Sequence, residues 1–307
     1  METPKTEVPY SSKKTKIGYY PGCAITKCST SEEYGTSVLG VSQVIGPELE
    51  EINDWNCCGA SSGHATNHKL STALSVRNIS LAEKDGYDEV LAPCPMCSQR
   101  LIISQKDVQE DKKLREEVED AIEMPISNNV KVSNYLEIVK NYSMDEIAEK
   151  RKKKPEGLKV ASYYGCLLVR PPKVLKFDDP ENPKTMDEIV TAIGAEAVDW
   201  EFKTSCCGGG FTLSRTDVVV KLTNDILEGA ADAGANAIAV ACPMCHANLD
   251  MKQNNIEKEY GRRFNIPIVY ISELIGLALG LKPKDLGMDK HFIDTGSVIN
   301  AFSNIEK

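Results

Sequence analysis

The feature that most constrains this chain is a cysteine pattern that occurs twice. Each copy contains a vicinal pair followed by glycine, first as Cys57-Cys58-Gly59 and later as Cys206-Cys207-Gly208. Each copy also contains the tetrapeptide Cys-Pro-Met-Cys, which begins at Cys94 and at Cys242, 36 and 35 positions after the vicinal pair. Two matching patterns in one chain indicate two copies of one structural unit.

A fifth cysteine precedes each vicinal pair. Cys23 lies 34 positions before the first pair, and Cys166 lies 40 positions before the second. Ten of the eleven cysteines therefore form two groups, the first cysteine set and the second cysteine set. The first set is Cys23, Cys57, Cys58, Cys94 and Cys97, and the second set is Cys166, Cys206, Cys207, Cys242 and Cys245. Cys28 stands outside both sets, and we expect it to be a buried, inert thiol.

The spacing of the repeat divides the 307 residues into two domains. Equivalent cysteines are 143 to 149 positions apart, which is an ordinary domain size. The basic run Lys150–Lys154, followed by Pro155-Glu156-Gly157, resists packing and marks the boundary. We therefore predict a flexible N-terminal arm, a first domain, a linker, a second domain and a C-terminal tail, at residues 1–15, 16–150, 151–157, 158–281 and 282–307.

Composition and charge exclude some classes of protein. A net charge of -9 argues against a general nucleic-acid binder, because such domains are usually basic. The polar start, Met1–Glu7, lacks the apolar core of a signal peptide, and the most apolar run, Ile266–Leu281, is shorter than the roughly 20 residues of a membrane helix. We expect a cytoplasmic protein without a membrane span. In that setting, many cysteines favour metal binding or catalysis over a disulfide framework.

Apolar patterning predicts the order strand, loop and helix in both halves. Short apolar runs predict strands at 16–21, 89–92, 129–132, 159–164, 237–241 and 267–271. Helical spacing predicts helices at 32–45, 70–85, 98–124 (one helix or a pair), 134–142, 184–193, 216–233 and 272–280. This order is typical of α/β folds with a short parallel sheet flanked by helices. Cysteines follow several predicted strands, at the edge where such folds place their sites.

Five thiolates per copy favour a multinuclear metal centre. Structural zinc and regular four-iron clusters each take four protein ligands, so a fifth cysteine is surplus for either. The vicinal cysteines point in opposite directions in extended chain, and Gly59 permits the tight turn that lets both sulfurs converge. Two alternatives stay open: two zinc sites that each leave one thiol free, and a vicinal disulfide paired with a thioredoxin-like Cys-Pro-Met-Cys.

The whole pattern resembles the duplicated CCG domain of the heterodisulfide reductase B-subunit family, from Lys16 to about Leu281. The resemblance implies two Rossmann-like CCG domains related by pseudo-twofold symmetry. It also implies that each cysteine set holds a noncubane [4Fe-4S] cluster, with both clusters facing one cavity. Cys23, Cys57, Cys58, Cys94 and Cys97 correspond to the ligands of one cluster, and Cys166, Cys206, Cys207, Cys242 and Cys245 to those of the other.

The resemblance further implies a catalytic subunit that reduces a disulfide to two thiols, as in CoB-CoM heterodisulfide reductase. Disulfide reduction takes two electrons, whereas an iron–sulfur cluster normally passes one, so two clusters can share the work. The implied partners are a ferredoxin-like [4Fe-4S] subunit and a flavin-containing subunit that bifurcates electrons from hydrogenase or formate dehydrogenase. The chain has no Gly-x-Gly-x-x-Gly after a strand, so the flavin belongs to another polypeptide.

One departure from the family leaves the substrate open. Methanogenic members have a histidine directly after the leading cysteine of the second copy, whereas this chain has Leu167 and Leu168. The alternative is therefore an iron–sulfur, or partly zinc-binding, electron-transfer or assembly subunit. Such subunits serve lactate or glycolate oxidation and sulfur metabolism.

Several basic residues near the motifs suit a small anionic disulfide. Arg170, Lys203 and Arg215 lie near the cysteine motifs in sequence, so we predict that they bind the substrate. His64 and His246 also lie near the motifs, and an imidazole is suited to donate a proton to a leaving thiolate.

Overall fold

The structure is a computed structural model that describes residues 15–60 and 62–303. Residues 1–14 of the predicted arm and 304–307 of the predicted tail lie outside these ranges. The chain forms two four-stranded parallel sheets, each flanked by helices. The predicted α/β class with two similar units is confirmed. We call residues 16–150 the first repeat and residues 158–281 the second repeat.

The first repeat has all four of its strands parallel. Its strands are β1 (Lys16–Tyr19), β2 (Glu48–Glu51), β3 (Glu89–Leu91) and β4 (Lys131–Ser133). They lie in the order β2-β1-β3-β4, with Gly18 opposite Glu50 on one side and Val90 on the other. Its helices are α1 (Glu32–Val44), α2 (Ser62–Thr66), α3 (His68–Lys84), α4 (Pro95–Glu110), α5 (Lys112–Ile122), α6 (Tyr135–Tyr142) and α7 (Met144–Lys150).

The second repeat has the same strand arrangement. Its strands are β5 (Lys159–Tyr163), β6 (Glu196–Val198), β7 (Ala237–Val240) and β8 (Ile268–Tyr270), in the order β6-β5-β7-β8. Strand β7 is buried along its whole length, as expected for a central strand of a parallel sheet covered on both faces. Its helices, with a final one in the tail, are α8 (Thr185–Ala192), α9 (Thr216–Asp232), α10 (Pro243–Met251), α11 (Gln253–Tyr260), α12 (Ile271–Ala278) and α13 (Gly296–Ala301).

Each Cys-Pro-Met-Cys motif lies where a strand ends and a helix begins. Cys94 and Cys242 are the N-cap residues of α4 and α10, and proline occupies the first turn of both helices. Proline is favoured there because its fixed φ suits a helix and its missing N–H has no helical partner at that position. The second cysteine of each motif therefore lies in the first turn, beside the carboxyl end of the strand.

One hydrophobic core cluster contains residues of both repeats. Helix α1 packs against α12, and Tyr34 stacks on Tyr270 with ring centroids 4.3 Å apart. The hydroxyl oxygens of Ser37 and Ser272 lie 2.7 Å apart at the same interface. A buried, hydrogen-bonded interface of this kind fixes the orientation of one repeat relative to the other.

The tail packs on both repeats. Its first part forms two short 3-10 turns, Pro283–Leu286 and Met288–Lys290. Leu286 fills the space over Gly276 of α12, where a Cβ would lie 2.4 Å from its side chain. Lys290 pairs with Glu32 at 2.9 Å, which ties the tail to the start of α1. Among the described helices, none is both long and apolar enough to cross a bilayer.

Candidate metal centres

The first cysteine set gathers at the carboxyl edge of the first sheet. Cys23 follows β1, the vicinal pair follows β2, and the Cys-Pro-Met-Cys motif follows β3. The sulfur atoms of Cys57 and Cys23 lie 3.8 Å apart, and those of Cys58 and Cys97 lie 3.5 Å apart. Because the carboxyl ends of parallel strands meet at one edge, three separate segments deliver their thiols to one place.

The second cysteine set has the same construction. Cys166 follows β5, the vicinal pair follows β6, and the second Cys-Pro-Met-Cys motif follows β7. The sulfur atoms of Cys207 and Cys245 lie 3.8 Å apart, and the neighbouring thiol of Cys206, followed by burial, raises the pKa of Cys166. Each half thus brings its five predicted cysteines to equivalent positions.

Equivalent tyrosines attach the vicinal pairs to the sheets. The hydroxyl of Tyr20 donates to the carbonyl of Asn56 at 2.8 Å, and that of Tyr163 donates to the carbonyl of Ser205 at 2.6 Å. Each acceptor residue directly precedes a vicinal cysteine pair. The position of both pairs is therefore set by a buried side chain at the end of β1 or β5.

Equivalent glycines make room for the sulfurs. Gly22 and Gly165 have φ values of +67° and +63°, and a Cβ on either would lie 2.8 Å from the sulfur of Cys97 or Cys245. Such a distance is too short for a side chain, so only glycine leaves the sulfur its place. The residue before each leading cysteine is thus constrained by both backbone and space.

Each set is buried on one side and open on the other. Cys58, Cys94 and Cys97 are buried, whereas Cys23 and Cys57 are exposed. In the second set, Cys207, Cys242 and Cys245 are buried, Cys166 is half-buried and Cys206 is exposed. Five converging thiols with one open face fit an iron–sulfur group that a reactant can approach, and they exceed the four ligands of zinc.

Hydrogen bonds between neighbouring thiols shift their pKa values in opposite directions. Hydrogen bonds from Cys57 and then Cys97 lower the pKa of Cys58 to about 3. The hydrogen bond from Cys166 lowers the pKa of Cys206 to about 5. Each vicinal pair therefore has thiolate character, the form in which cysteine binds a metal.

The prediction that Cys28 is buried is wrong. Cys28 is exposed in the turn before α1, where its backbone has a φ of 61°. The turn runs over the surface because it connects β1 to α1, and its hydrogen bonds are local, such as that from Ser29 N to Thr26 O.

His64 lies at the surface beside the first set and is paired with a buried arginine. Arg100 Nη1 lies 2.9 Å from His64 Nδ1, and Arg100 is only 7% exposed. The charge of Arg100, followed by burial, lowers the pKa of His64. Arg100 was missed in the sequence, although it lies one helical turn after Cys97.

His246 belongs to a buried chain of side chains behind the second set. Its ring stacks on Tyr270 at 4.5 Å, and its Nε2 lies 2.9 Å from Nδ1 of His291. Nε2 of His291 in turn lies 2.8 Å from a carboxylate oxygen of Glu273, which is fully buried. Although burial lowers it, the carboxylate of Glu273 raises the pKa of His291 to about 9.

Asp250 completes this buried group. Its carboxylate accepts hydrogen bonds from the backbone N–H groups of Phe292 and Ile293, at 2.7 and 3.0 Å. The ligating atoms of His246, Asp250 and His291 all lie within 4.8 Å of one another. These hydrogen bonds join His246 and Asp250 of α10 to residues 291–293 of the tail. The group therefore attaches the tail to the second repeat.

The three predicted substrate-binding cations each have an acidic partner. Lys203 is buried and lies 2.7 Å from Asp187, while its carbonyl accepts the N–H groups of the two residues before Cys166. Arg170 pairs with Glu181 at 3.2 Å, and Arg215 with Asp217 at 2.8 Å. The latter two arginines are substantially exposed, so they remain accessible to solvent. In the part of the chain that the structure describes, no hydrogen bond or ion pair joins the side chains of the three cations to one another.

Contacts between the repeats lie next to both motifs. Burial, and then its neighbours Tyr135, Cys94 and Cys242, raise the pKa of Tyr34 well above its usual value. The side chain of Gln99 on α4 donates to the carbonyl of Arg170 at 2.7 Å. Thus a thiol of each set is near the same buried tyrosine at the interface.

Two adjoining parallel sheets that each present five thiols at one edge define a duplicated cysteine-rich domain protein. The cysteine-rich domain family, CCG, matches residues 17–102 and 160–250. The chain is also 31% identical to the B subunit of the ferredoxin:CoB-CoM heterodisulfide reductase of Methanosarcina mazei, over 95% of either chain. The chain belongs to the heterodisulfide reductase B-subunit family, as predicted. This membership implies iron–sulfur binding and an oxidoreductase-related subunit.

Two further similarities come from bacteria. The 8-methylmenaquinol:fumarate reductase membrane anchor subunit of Wolinella succinogenes is 29% identical, over 91% of this chain and 97% of that one. A hypothetical protein of Helicobacter pylori has a similar structure, with a TM-score of 0.71 and 12% identity. That match covers 93% of this chain and 55% of the other, and it shows the fold alone.

Proposed function

We propose that this chain is the subunit of a heterodisulfide reductase-type complex in which a disulfide is reduced to two thiols between two noncubane [4Fe-4S] clusters. The observation that supports the proposal most is that both repeats hold a complete five-cysteine set at the same edge of their sheets. A protein that only relays electrons has no evident need for two such sets. Each cluster, when bound, supplies one-electron chemistry.

The chain's own residues take defined roles in this proposal. The first and second cysteine sets hold one cluster each, and their exposed cysteines lie on the side that admits the disulfide. His64 is the proposed donor of a proton to a leaving thiolate, because it is exposed beside the first set. His246 is buried in its chain with His291, so its role would pass through other groups.

Cations at the surface are suited to the anionic ends of a disulfide. Arg170 lies where the two repeats meet and is 43% exposed, which favours it over the buried Lys203. Arg215 is also exposed and lies in the loop region after Cys207. We propose that Arg170 and Arg215 bind the substrate and that Lys203 positions the segment before Cys166.

Electrons reach this chain from other subunits in the proposed complex. A ferredoxin-like [4Fe-4S] subunit would deliver them, and a flavin-containing subunit would bifurcate electrons from hydrogenase or formate dehydrogenase. We propose a cytoplasmic location for this complex.

Anaerobic purification followed by iron analysis and a disulfide assay tests the proposal. We expect about eight irons per chain, since each cluster has four, and oxidation of reduced benzyl viologen by at least one anionic disulfide. An iron content of about four, or bound zinc with no disulfide-dependent oxidation, would contradict the proposal.

A second candidate is an electron-transfer subunit of a quinol-linked complex. The similarity to the Wolinella succinogenes subunit, which covers 97% of that protein, favours it. Phe211 and Leu213, which follow Cys206 and Cys207, are 50% and 99% exposed and suit an apolar reactant or partner. Reduction of the anaerobic protein by a menaquinol analogue, without reoxidation by any disulfide, would favour this candidate over the first.

A further inference from the structure

The residue one helical turn after the last cysteine differs in charge between the two sets. Arg100 lies three positions after Cys97 on α4, and Asn248 lies three positions after Cys245 on α10. Residues three apart lie on the same face of a helix, so both side chains lie on the face of the cysteine. The two repeats therefore place a cation and a neutral amide at equivalent sites.

Arg100 makes no ion pair in the part of the chain that the structure describes. It is only 7% exposed, and no described carboxylate oxygen lies within 4.0 Å of its guanidinium. Its side-chain partner there is the imidazole of His64, at 2.9 Å. A buried cation is costly without a nearby anion. Asp107 and then Cys58 lie near enough to interact with Arg100 electrostatically, so the charge of Arg100 acts on the first cysteine set.

The second set has a neutral contact at the same place. Asn248 Nδ2 donates to the carbonyl of Cys207 at 3.2 Å and lies 3.6 Å from its sulfur. The Oδ1 atom of Asn248 lies 3.0 Å from the hydroxyl of Thr212. Lys203, which holds the segment before Cys166, is neutralised by Asp187. Arg170 and Arg215, the other cations near the second set in sequence, pair with Glu181 and Asp217, whereas Arg100 has no such carboxylate partner among the described residues.

We propose that Arg100 makes the cluster of the first set easier to reduce than that of the second set. The inference rests on the proposed function, since it requires two clusters. A buried positive charge stabilises an added electron, because it is only weakly screened at short range. We expect at least about a tenfold effect on the one-electron reduction equilibrium, which corresponds to about 59 mV.

Redox titration of the whole anaerobic protein, followed by electron paramagnetic resonance, tests this assignment. The variants are Arg100→Asn, which copies the second repeat, Arg100→Gln, which keeps more of the side-chain length, and Arg100→Lys, which keeps the charge. We expect the neutral variants to lower one midpoint potential and to leave the other in place. Arg100→Lys should restore most of the shift. Iron content reports whether both clusters remain bound.

Each outcome decides the inference. A shift of one potential in either neutral variant that retains its iron, with recovery in Arg100→Lys, supports it. Loss of iron from both neutral variants, but not from Arg100→Lys, would assign the charge to holding the cluster and not to its potential, and would overturn the inference. Unchanged potentials, or equal shifts of both, would overturn the inference. Overturning it in a protein that still has about eight irons and reduces a disulfide leaves the proposed function intact.

Discussion

The two repeats use the same thiols but surround them differently. In the first repeat, the cation Arg100 and its partner His64 lie beside the set, and the charge of Arg100 lowers the pKa of His64. In the second repeat, Asn248 and the exposed Leu213 occupy the matching positions, counted from the nearest cysteines. The duplicated strands, tyrosines and glycines fix where the sulfurs lie, whereas the neighbouring side chains decide charge and solvent access. Two sites with identical ligands can therefore have unequal chemistry.

A second difference concerns what lies behind each set. Ser98 directly follows Cys97, whereas His246 directly follows Cys245 and joins a buried chain with His291 and Glu273. Because His291 comes from the tail, the second set is backed by a segment that the first set does not contact in this way. The repeats thus differ in electrostatics at one set and in tail attachment at the other.

Removal of one ligand from each repeat should have the largest effect. We expect Cys58→Ser and Cys207→Ser each to lose the cluster of its own repeat, which leaves about four irons per chain. Disulfide reduction should fall by at least about 100-fold in both, because the two-electron step needs both centres. Iron analysis and the viologen assay measure this. Cys28→Ser is the control, since Cys28 lies outside both sets, and full activity in either ligand variant would contradict shared work.

The buried ion pair of Lys203 stabilises the second repeat and has no counterpart among the described residues of the first. The residue at the matching distance before the first vicinal pair is Asp54, which carries the opposite charge. Lys203→Met leaves the partly buried Asp187 without its partner at 2.7 Å. We expect a loss of about 3 to 5 kcal/mol in the free energy of unfolding. Arg215→Met breaks a solvent-exposed pair and should leave the free energy of unfolding almost unchanged. Anaerobic urea unfolding compares the two, and equal losses would show that burial is not the cause.

The tail attachment should make stability depend on pH through His291. Its pKa rises from 6.5 in the unfolded chain to about 9 in the folded one, since the Glu273 carboxylate outweighs burial. The stabilisation is therefore complete below about pH 6.5 and is lost as the pH rises through about 9, a change of at most about 3 kcal/mol. Urea unfolding from pH 6 to 10 should show this slope, and His291→Gln should flatten it. If His291→Gln shows the same slope as the unsubstituted protein, the pH dependence arises from other groups, such as the thiols.

The sequence predicts most of the fold because strongly apolar strands and periodic helices carry a local signal. The strands β1, β3, β4, β5, β7 and β8 all lie within or next to predicted runs. The strands β2 and β6 were missed, and both are short sheet-edge strands that begin with glutamate. Their pairing depends on backbone hydrogen bonds to β1 and β5, which leave no apolar pattern to read.

The cysteines could be assigned to two sets from the sequence because the same spacing pattern occurs twice in one chain. Arg100 and Asn248 could also have been found, since a helix after Cys-Pro-Met-Cys puts the residue three positions later beside the thiols. His291 could not, because it lies 46 positions after Cys245 in a tail without periodicity. Likewise, the pairing of Lys203 with Asp187 depends on tertiary contacts that charge patterning does not predict.

Substitution of the glycine before each leading cysteine should destabilise the two repeats by similar amounts. Gly22→Ala and Gly165→Ala each place a Cβ 2.8 Å from a cysteine sulfur, at a φ that disfavours a side chain. We expect about 2 kcal/mol of destabilisation and faster iron loss in both, since the strain and the contact add. Gly157→Ala isolates the strain, because it has a φ of +65° and nothing within 4 Å of the added Cβ. Both variants should therefore be less stable than Gly157→Ala in urea unfolding, and by similar amounts. If one of them matches Gly157→Ala, the sulfur of that repeat is free to move, and the two sets differ in rigidity as well as in charge.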